Sequence, residues 1–401
     1  MAASAQTILI PYADIADLLN PDIFPEEIIA AGSPTLDTLW GMDHNTTKMF
    51  KDGAFAPYLE EGDEVYQAIS ADLNLDGQEE ILLITSSPIL NVYILSQESS
   101  GGFSIVKSLR GFCDDSHYNP QFYVETGPGW FALNSAEPST SIDAYSFHYV
   151  YDTGRRDWFL EKVSSDSFWG YGEVSITTTS ANFGQKTLES VAEMEELPGY
   201  HEITVIENDE NTGLTINASY PFLEFQNKDK QKKVNDILKA DFDRLLLSLS
   251  PAKTFSLDIS VTLTFLTEHV ISVRYDMWGS NLEGYWYFYT VIDLDKIERI
   301  KLTDIFDIKL IGDALKERNY IDDVNSRGFR PNEEKIALLS TLEDTDAWFD
   351  FDRESVSFCL YKNLLHLIWN SACTGEAVRD TNWVYIPIED LLPQVKVNYW
   401  G

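Results

Sequence analysis

The chain has 401 residues, of which 44% are hydrophobic and 13% aromatic, enough for the cores of two or three domains. Its formal net charge is -36, from 65 Asp and Glu against 29 Lys and Arg. Nucleic acid and anionic membranes are therefore excluded as favoured partners, because both would meet a repulsive field. Divalent cations and basic proteins are favoured instead.

The start of the chain, "MAASAQT", places Ala-Ser-Ala before Gln6, a pattern typical of the small-residue end of a signal peptide behind an added Met1. We therefore expect an extracytoplasmic protein, secreted or surface-anchored, whose signal segment is absent from this sequence. No apolar run is long enough for a membrane span. Cys113, Cys359 and Cys373 are too few for a disulfide scaffold, and one pair or three buried thiols both remain open.

The first half of the chain is predicted to be rich in strands. Residues 7–50 mix short apolar runs with prolines, which indicates short helices and loops. From 64 to about 170, short aromatic and β-branched segments alternate with Gly, Ser, Pro and Asp, which predicts an antiparallel sheet domain with a hairpin at "YDTGRRDWFL". A Ser/Thr-rich and then Glu-rich stretch, 171–201, is the predicted connection between domains, with the boundary near Pro198–Gly199.

The second half mixes strands and helices. After two strands, apolar residues recur at helical spacing, which predicts an amphipathic helix; they are Val234, Ile237, Leu238, Phe242, Leu245 and Leu246. A hairpin turning at Thr267–Glu268 follows, then a strand at "GYWYFYTVIDL", a helix near "IGDALKERNYI", a strand at "SVSFCLYK" and a strand passing into a short helix at "WVYIPIEDLLP". The sequence thus predicts an α+β fold with two domains, 1–198 and 199–401.

The segment "SADLNLDGQEEILLI", residues 70–84, places oxygen-bearing side chains at alternate positions around Gly77. Calcium takes six to eight hard oxygen ligands, and a glycine lets the backbone fold round the ion. The predicted ligands, with Gln78 acting through its backbone carbonyl, are Asp72, Asn74, Asp76, Gln78 and Glu80. Leu83 stands where an EF-hand has its bidentate acid, and a strand follows, so this is not an EF-hand.

The loop D-x-N-x-D-G-x-x-E followed by "ILLI" resembles the calcium loops of FG-GAP and related repeats of secreted proteins. The resemblance implies calcium bound between strands. Because a fully ligated ion has no open coordination position, we expect calcium to order the sheet in a structural role. An acidic turn without an ion and a calcium switch are the alternatives.

Three segments of the second half match one family in order. "LTINASYPFLEFQNKDKQKKVNDIL", which contains Asn235, resembles the opening of RsiV-like domains. "GYWYFYTVIDLDKIERIKLTDIFD" resembles their central strand and L-x-D-x-F segment, and "FDFDRESVSFCLYKN" with "VYIPIEDLLP" resembles their end. Together these run from about 203 to 395.

RsiV-like domains include the extracytoplasmic part of lysozyme-sensing anti-sigma factors and the accessory domain of PdaC-type peptidoglycan deacetylases. The resemblance implies an α+β domain of the cell envelope that binds a ligand and is not itself an enzyme. "GSNLEGYW" stands where the family often has a Gly-Gly-Ala-His-like turn, so lysozyme binding does not transfer directly.

The motifs of the common enzyme classes do not occur. The six histidines form no H-x-x-x-H or H-E-x-x-H pair, and there is no G-x-S-x-G, Walker or G-x-G-x-x-G motif. "CDDSHYN" at 113–119 and the acidic "EDTDAWFDFDRE" at 343–354 are weaker candidates for chemistry. Stacking on a sugar ring is a further possibility for four aromatic residues, Trp278, Tyr285, Trp286 and Tyr287.

The sequence is thus interpreted as a non-enzymatic binding or sensor protein of the bacterial envelope. Its expected partner is an envelope or host ligand, such as the basic protein lysozyme or a glycan. An accessory or catalytic protein acting on cell-wall glycan, and a purely structural module, are the competing hypotheses.

Overall fold

A computed structural model of the chain describes residues 55, 58–59, 64–86, 89–99, 102–114, 121–136, 144–169, 172–193, 197–209, 214–248, 256–279, 286–317, 355–370, 382–391 and 395–400. The chain divides into two compact units. The first comprises Met1–Val163 and Gln185–Glu195, and the second Ser164–Gly184 and Glu196–Gly401. The predicted domains, 1–198 and 199–401, stay a prediction.

The first unit begins with a four-stranded antiparallel sheet whose strands pair in sequence order. They are β1 (Glu64–Ala71), β2 (Glu80–Ser86), β3 (Ile89–Gln97) and β4 (Phe103–Asp114). On one face Leu83 lies opposite Tyr93 in a buried cluster. Leu82 and Ile94, also opposite each other, are buried on the other face. Burial on both sides explains why β2 and β3 read as continuous apolar runs.

Four more strands of the first unit follow, again as neighbours in sequence order. They are β5 (Gln121–Gly127), β6 (Trp130–Ala136), β7 (Ala144–Asp152) and β8 (Asp157–Trp169), of which β8 belongs to this unit up to Val163. The predicted hairpin at "YDTGRRDWFL" is confirmed, with Arg156 N donating to Asp152 O across the turn. A 3-10 turn, Leu188–Glu193, returns to this unit, where Lys107 Nζ contacts Asp157 (2.9 Å) and Glu189 (3.2 Å).

The main sheet of the second unit is centred on one long strand. Its elements are β9 (Gly172–Thr179), α1 (Ser180–Phe183), β10 (Tyr200–Asp209), β11 (Leu214–Leu223), α2 (Lys228–Ser248), β12 (Ser256–Leu266), β13 (Val270–Gly279), β14 (Trp286–Asp293) and β15 (Glu298–Arg299). Strand β12 pairs with β13 antiparallel, with β11 in parallel near Ile259, and with β9 in parallel near Phe265. The predicted hairpin at Thr267–Glu268 is confirmed.

Helix α2 covers one face of this sheet, as its apolar spacing predicts. Leu238 and Phe242 pack with Tyr275 and Met277, which point to the helix side of β13. In the third turn of the helix, the side chain of Asn235 accepts from Leu223 N (2.9 Å) and donates to Leu223 O (2.7 Å). The amide that the sequence comparison singled out thus fixes the end of β11 onto the helix.

A second, three-stranded antiparallel sheet packs on the opposite face of the main sheet. The elements of this layer are α3 (Leu302–Ile305), α4 (Ile308–Glu317), β16 (Ser355–Leu360), β17 (Leu364–Asn370), β18 (Asn382–Pro387) and α5 (Ile388–Leu391). Leu360 N donates to Ser272 Oγ at 2.9 Å, which joins β16 directly to β13. The second unit is therefore a sheet-on-sheet sandwich with α2 outside it.

The predicted α+β fold class is wrong, because the chain is dominated by strands. In the part that the structure describes, 60% of residues lie in strands and 18% in helices. The predicted helices in the second half do form, but α2 is the one long element among them, and the others run four to ten residues. No described helix is long and apolar enough to cross a membrane.

Several predictions lie outside the described residues. These are the short helices of 7–50, residues 115–119 of "CDDSHYN", the acidic stretch 343–354, Tyr285, Cys373 and the side chain of Cys113. Cys359 is a buried free thiol. The pairing of Cys113 with Cys373 stays open.

Candidate functional site

The predicted calcium loop joins β1 to β2 and is anchored within the first unit by two long-range hydrogen bonds. Gly129 N donates to Asp72 O at 2.9 Å, and the indole Nε1 of the buried Trp158 donates to Leu73 O at 3.0 Å. Leu73 itself is fully buried. The loop therefore starts from a fixed point in the core.

The side chains of the first three predicted ligands fold back onto the loop backbone. The amide of Asp76 donates both to Asp72 Oδ1 (3.1 Å) and to Asn74 Oδ1 (2.9 Å). Gly77 N donates to Asp72 Oδ2 (3.2 Å), and Gln78 N to Asp76 Oδ1 (2.8 Å). The oxygens of Asp72 and Asn74 thus converge on one amide, and each keeps a second lone pair for another partner.

Two residues of the loop have left-handed backbone conformations. Gly77 has a φ of 85°, which glycine adopts without the steric cost of a Cβ. Leu75 has a φ of 61°, and its exposed side chain lies against Gly129. The tight turn predicted from the position of Gly77 is present.

The two remaining predicted ligands differ in environment. Gln78 is exposed, whereas Glu80 is 1% exposed at the start of β2. Glu80 Oε2 accepts from the amides of Leu73 (2.9 Å) and Asn74 (3.2 Å), and Oε1 accepts from the side chain of Asn74. Burial, together with the nearby Asp76 and Asp72, raises the pKa of Glu80 to about 7, although the hydrogen bonds from the amides of Leu73 and Asn74 oppose the shift.

The loop therefore gathers three carboxylates, one of them buried, around a left-handed glycine. A hard divalent cation would offset the repulsion among them and is chemically suited to this donor set. No group of three or more His, Cys, Asp or Glu side chains in the described residues is arranged to hold a metal. The predicted set includes an amide and a backbone carbonyl, and calcium stays a prediction.

The second unit contains a buried polar group that the sequence analysis missed. The Arg274 cluster, as we call it, comprises Arg274, Asp276, Tyr289, Tyr361 and His366. Arg274 donates to Asp276 Oδ2 (2.8 Å) and to Tyr361 Oη (3.0 Å). Burial raises the pKa of Asp276, and the guanidinium opposes that shift.

His366 lies at the closed end of the Arg274 cluster. Its ring stacks on Tyr385 with 4.2 Å between centroids, and its Nδ1 lies 3.3 Å from Tyr289 Oη. Burial and the positive charge of Arg274 together lower the pKa of His366 to about 3. The imidazole is therefore neutral at physiological pH.

Beyond Asp276 the same face of the sheet approaches solvent. Alternation along β13 puts Arg274, Asp276 and Trp278 on one face, with Ser260 of β12 and Tyr287 of β14 directly opposite Asp276. Trp278 is 40% exposed and Tyr287 is half-buried. The ring of Tyr287 lies 5.8 Å from the Arg274 guanidinium.

Of the four aromatic candidates, the structure brings Trp278 and Tyr287 together on this face. Trp286 pairs with Met277 along the backbone, and its side chain and Tyr285 lie outside the described residues. The signal that was available for the missed residues is the pair of opposite charges two positions apart, Arg274 and Asp276, within an otherwise apolar and aromatic strand. Two opposite charges on the same face of a buried strand need ionic or hydrogen-bond partners close by, because an unpaired buried charge is costly.

The sequence matches no protein-family model, and no curated protein matches it. The solved structures that are similar in part include two DUF3298 family proteins. A DUF3298 family member from Bacteroides fragilis has 15% identity, with 50% of this chain and 94% of that chain covered and a TM-score of 0.30. A DUF3298 family protein from Pseudomonas aeruginosa has 14% identity, with coverages of 50% and 95% and a TM-score of 0.29. The FG-GAP and RsiV-like resemblances stay predictions.

Proposed function

We propose that this protein is a non-enzymatic binding protein of a bacterial envelope, secreted or surface-anchored, whose first unit is stabilised by calcium. The net charge of -36 favours basic protein partners such as lysozyme and disfavours nucleic acid. A glycan of the envelope is the second kind of ligand that the proposal includes. Binding belongs to the second unit and calcium to the first.

The observation that carries the binding proposal is the Arg274 cluster and its exposed edge. Asp276 is held by an ion pair with Arg274, and His366 is enclosed by aromatic rings. Groups fixed in this way suit recognition better than proton transfer, which needs a group with a pKa near the operating pH.

The calcium proposal is supported by the convergence of Asp72 and Asn74 on the amide of Asp76. In the bound state the free lone pairs of these oxygens and of Asp76 would hold the ion, with the carbonyl of Gln78 and the carboxylate of Glu80 completing the set. The ion would connect the turn to β2, since Glu80 opens that strand. Its role is structural.

The binding proposal is tested with the full-length chain immobilised on a support. Lysozyme, an equally basic cytochrome c and insoluble peptidoglycan are passed over it at low and high ionic strength. We expect retention of lysozyme over cytochrome c, or retention of peptidoglycan. If the two basic proteins are retained alike and peptidoglycan is not retained, then the interaction is only one of net charge, and the proposal is wrong.

A second candidate function is catalysis on cell-wall glycan, favoured by one specific observation. The buried carboxyl of Asp276 lies on the same face as the exposed Trp278, and burial raises its pKa in the direction a general acid requires. Turnover of muropeptides by the wild type, lost in Asp276→Asn, would establish this function in place of binding alone.

A further inference from the structure

We infer that the second unit binds an extended cationic segment of a partner protein, which adds as a further strand along the outer edge of β10, the edge that faces away from β11. This inference rests on the proposed binding function and names both the surface and the chemistry of the partner. It is carried by the backbone groups along this edge, by the exposed side chains beside them and by the charge of the strand.

The outer edge of β10 has no strand beside it in the described parts of the chain. Strand β10 pairs with β11 alone, along its full length of 10 residues and without a register shift. Proteins protect such edges with bulges, prolines or charged side chains, lysine above all. Of these devices β10 has only charged side chains, and they are acidic. A long, regular edge of this kind is a template for an added strand.

The hydrogen bonds at the start of β10 fix which of its residues point their backbone groups outward. Gly199 O accepts from Glu224 N at 2.9 Å, so this pair is bonded across the β10–β11 ladder. The next pair is Tyr200 with Leu223, whose backbone N–H and C=O bond the side chain of Asn235 instead. Because bonded and non-bonded pairs alternate in an antiparallel ladder, the even-numbered residues of β10 direct their N–H and C=O groups away from β11.

Three residues in the middle of β10 therefore present unbonded backbone groups at this edge. They are Glu202, Thr204 and Ile206, and all three are exposed, Ile206 to 68%. No donor or acceptor in the described residues bonds their outward N–H and C=O groups. An added strand can reach these groups directly from solvent and pair with all three residues.

The side chains along the edge select the chemistry of the partner. Glu202 and Glu207 are exposed, and β10 contains no lysine or arginine. The row that starts at Ile206 continues through Asn217 to a further acid, Asp258, which accepts from the Asn217 side chain at 3.3 Å. A lysine or arginine opposite each glutamate would form a cross-strand pair of opposite charges, and an apolar residue would cover Ile206.

A second copy of this chain is less suited to the same edge. Pairing two β10 strands would bring together two glutamates and an aspartate from each, between molecules that each carry a net charge of -36. Like charges brought together across a strand pair are destabilising. The acids that keep copies of this chain apart are the ones that attract a cationic strand.

The test uses the full-length protein and a fluorescent peptide, Lys-Ile-Val-Thr-Val-Lys, designed to lie antiparallel to residues 202–207. In this register its two lysines lie opposite Glu207 and Glu202 and its isoleucine opposite Ile206. Fluorescence anisotropy should show binding, and hydrogen exchange resolved to single amides should slow at Glu202, Thr204 and Ile206. The same peptide with proline in place of threonine keeps its charge, loses one amide and should bind about tenfold more weakly.

The decisive variant of the protein is Thr204→Pro. The N–H that it removes points away from β11, so the β10–β11 ladder is kept, and proline is tolerated on an edge strand in this orientation. Affinity for the cationic peptide should fall about tenfold. Thr204→Val is the matched control, because it keeps the amide and should bind as the wild type does. Glu202→Lys should weaken binding of the cationic peptide and strengthen binding of a peptide with glutamate in place of both lysines.

Four outcomes overturn the inference. They are no binding of the cationic peptide at millimolar concentration, equal binding of the proline-containing peptide, unchanged affinity in a folded Thr204→Pro, and slow exchange of the three outer-edge amides in the free protein, which would mean that the edge is already covered. If Thr204→Pro fails to fold, unchanged affinity in Glu202→Lys decides against the inference instead, since this side chain is exposed.

The failure of this inference can be told apart from the failure of the proposed function. Equal retention of lysozyme or peptidoglycan by Thr204→Pro and wild type would leave the proposed binding function standing and remove β10 from it. Binding of the peptide at β10 without retention of lysozyme or peptidoglycan would support this site and reject the proposed ligands.

Discussion

His366 makes the stability of the second unit sensitive to acid. The ring is 4% exposed, enclosed by Tyr289, Tyr361 and Tyr385, and the charged group that acts on it is Arg274. Both burial and that positive charge oppose protonation, so its folded pKa falls from 6.5 to about 3. Replacement by phenylalanine keeps a ring against Tyr385 and removes the titration.

The magnitude follows from the linkage between protonation and folding. A histidine whose pKa is lower in the folded state contributes stability that is complete above its unfolded pKa and is lost as the pH falls toward the folded pKa. Between the unfolded pKa of 6.5 and pH 5, a span of about 1.5 pH units, the unfolded chain binds a proton at His366 and the folded chain does not. Each pH unit of this difference lowers the unfolding free energy by about 1.36 kcal/mol. The second unit should therefore lose about 2 kcal/mol of unfolding free energy from His366 alone between pH 8 and pH 5.

The assay is thermal unfolding of wild type and His366→Phe followed by calorimetry at pH 8 and pH 5. Carboxylates titrate in both proteins, so the difference between the two pH dependences isolates His366. For a unit of about 200 residues, 2 kcal/mol corresponds to roughly 4–8 °C in Tm. His269→Gln serves as the control, because that ring has a side-chain exposure of 50% and bonds Asp295 at the surface.

Equal losses of Tm in wild type and His366→Phe on going from pH 8 to pH 5 would refute the reasoning. That result would mean that the imidazole is protonated in the folded protein. A loss in His269→Gln that is smaller than the wild-type loss would assign the acid sensitivity to the surface histidine.

Three other predictions concern stability. Calcium at a hundredfold excess over its Kd should raise the unfolding free energy of the first unit by about 3 kcal/mol; Asp72→Asn should lose most of this gain in calorimetry, and no effect of calcium on wild type would contradict a bound ion. Gly77→Ala should cost about 1 kcal/mol in urea unfolding, because its φ is 85°; a neutral result would show that the turn relaxes. Asp241→Ala should cost about 2 kcal/mol, since its buried carboxylate accepts from Arg299 and Thr290 (2.9 Å each); an unchanged urea midpoint would exclude a stabilising pair.

Much of the secondary structure could be predicted because the patterns are local. Burial alternates along the first half of β12, as expected of a strand with two different faces, and the apolar side chains of α2 recur at helical spacing. The predominance of strands was harder to predict. The helices of the second half do form, but apart from α2 they are short and contribute few residues to the fold.

The parallel pairings of β12 were not predictable from the sequence. Ile259 pairs with Ala218 and Phe265 with Ser175, partners far apart in the chain, and no local pattern encodes such a register. The pattern of a strand reveals which residues share a face and not which strand lies beside it.

The two candidate sites also differ in how far apart their residues lie in the sequence. The loop was recognised because all its predicted ligands lie within nine residues, although the burial of Glu80 required the fold. The Arg274 cluster was missed because Arg274 lies in the main sheet, whereas Tyr361 follows β16 and His366 lies in β17, both far from Arg274 in sequence. The positions of the histidines in the sequence do not indicate which of them is buried in the folded protein.

The parallel contact between β11 and β12 has a consequence for how the second unit assembles. The chain must leave β11, form α2 and return before Ala218 can meet Ile259, whereas the hairpins β10–β11 and β12–β13 close from neighbouring residues. Non-local closures of this kind slow folding. The two hairpins are thus expected to form early and independently, and docking of α2 against both would be the step that sets the rate at which the sandwich is completed.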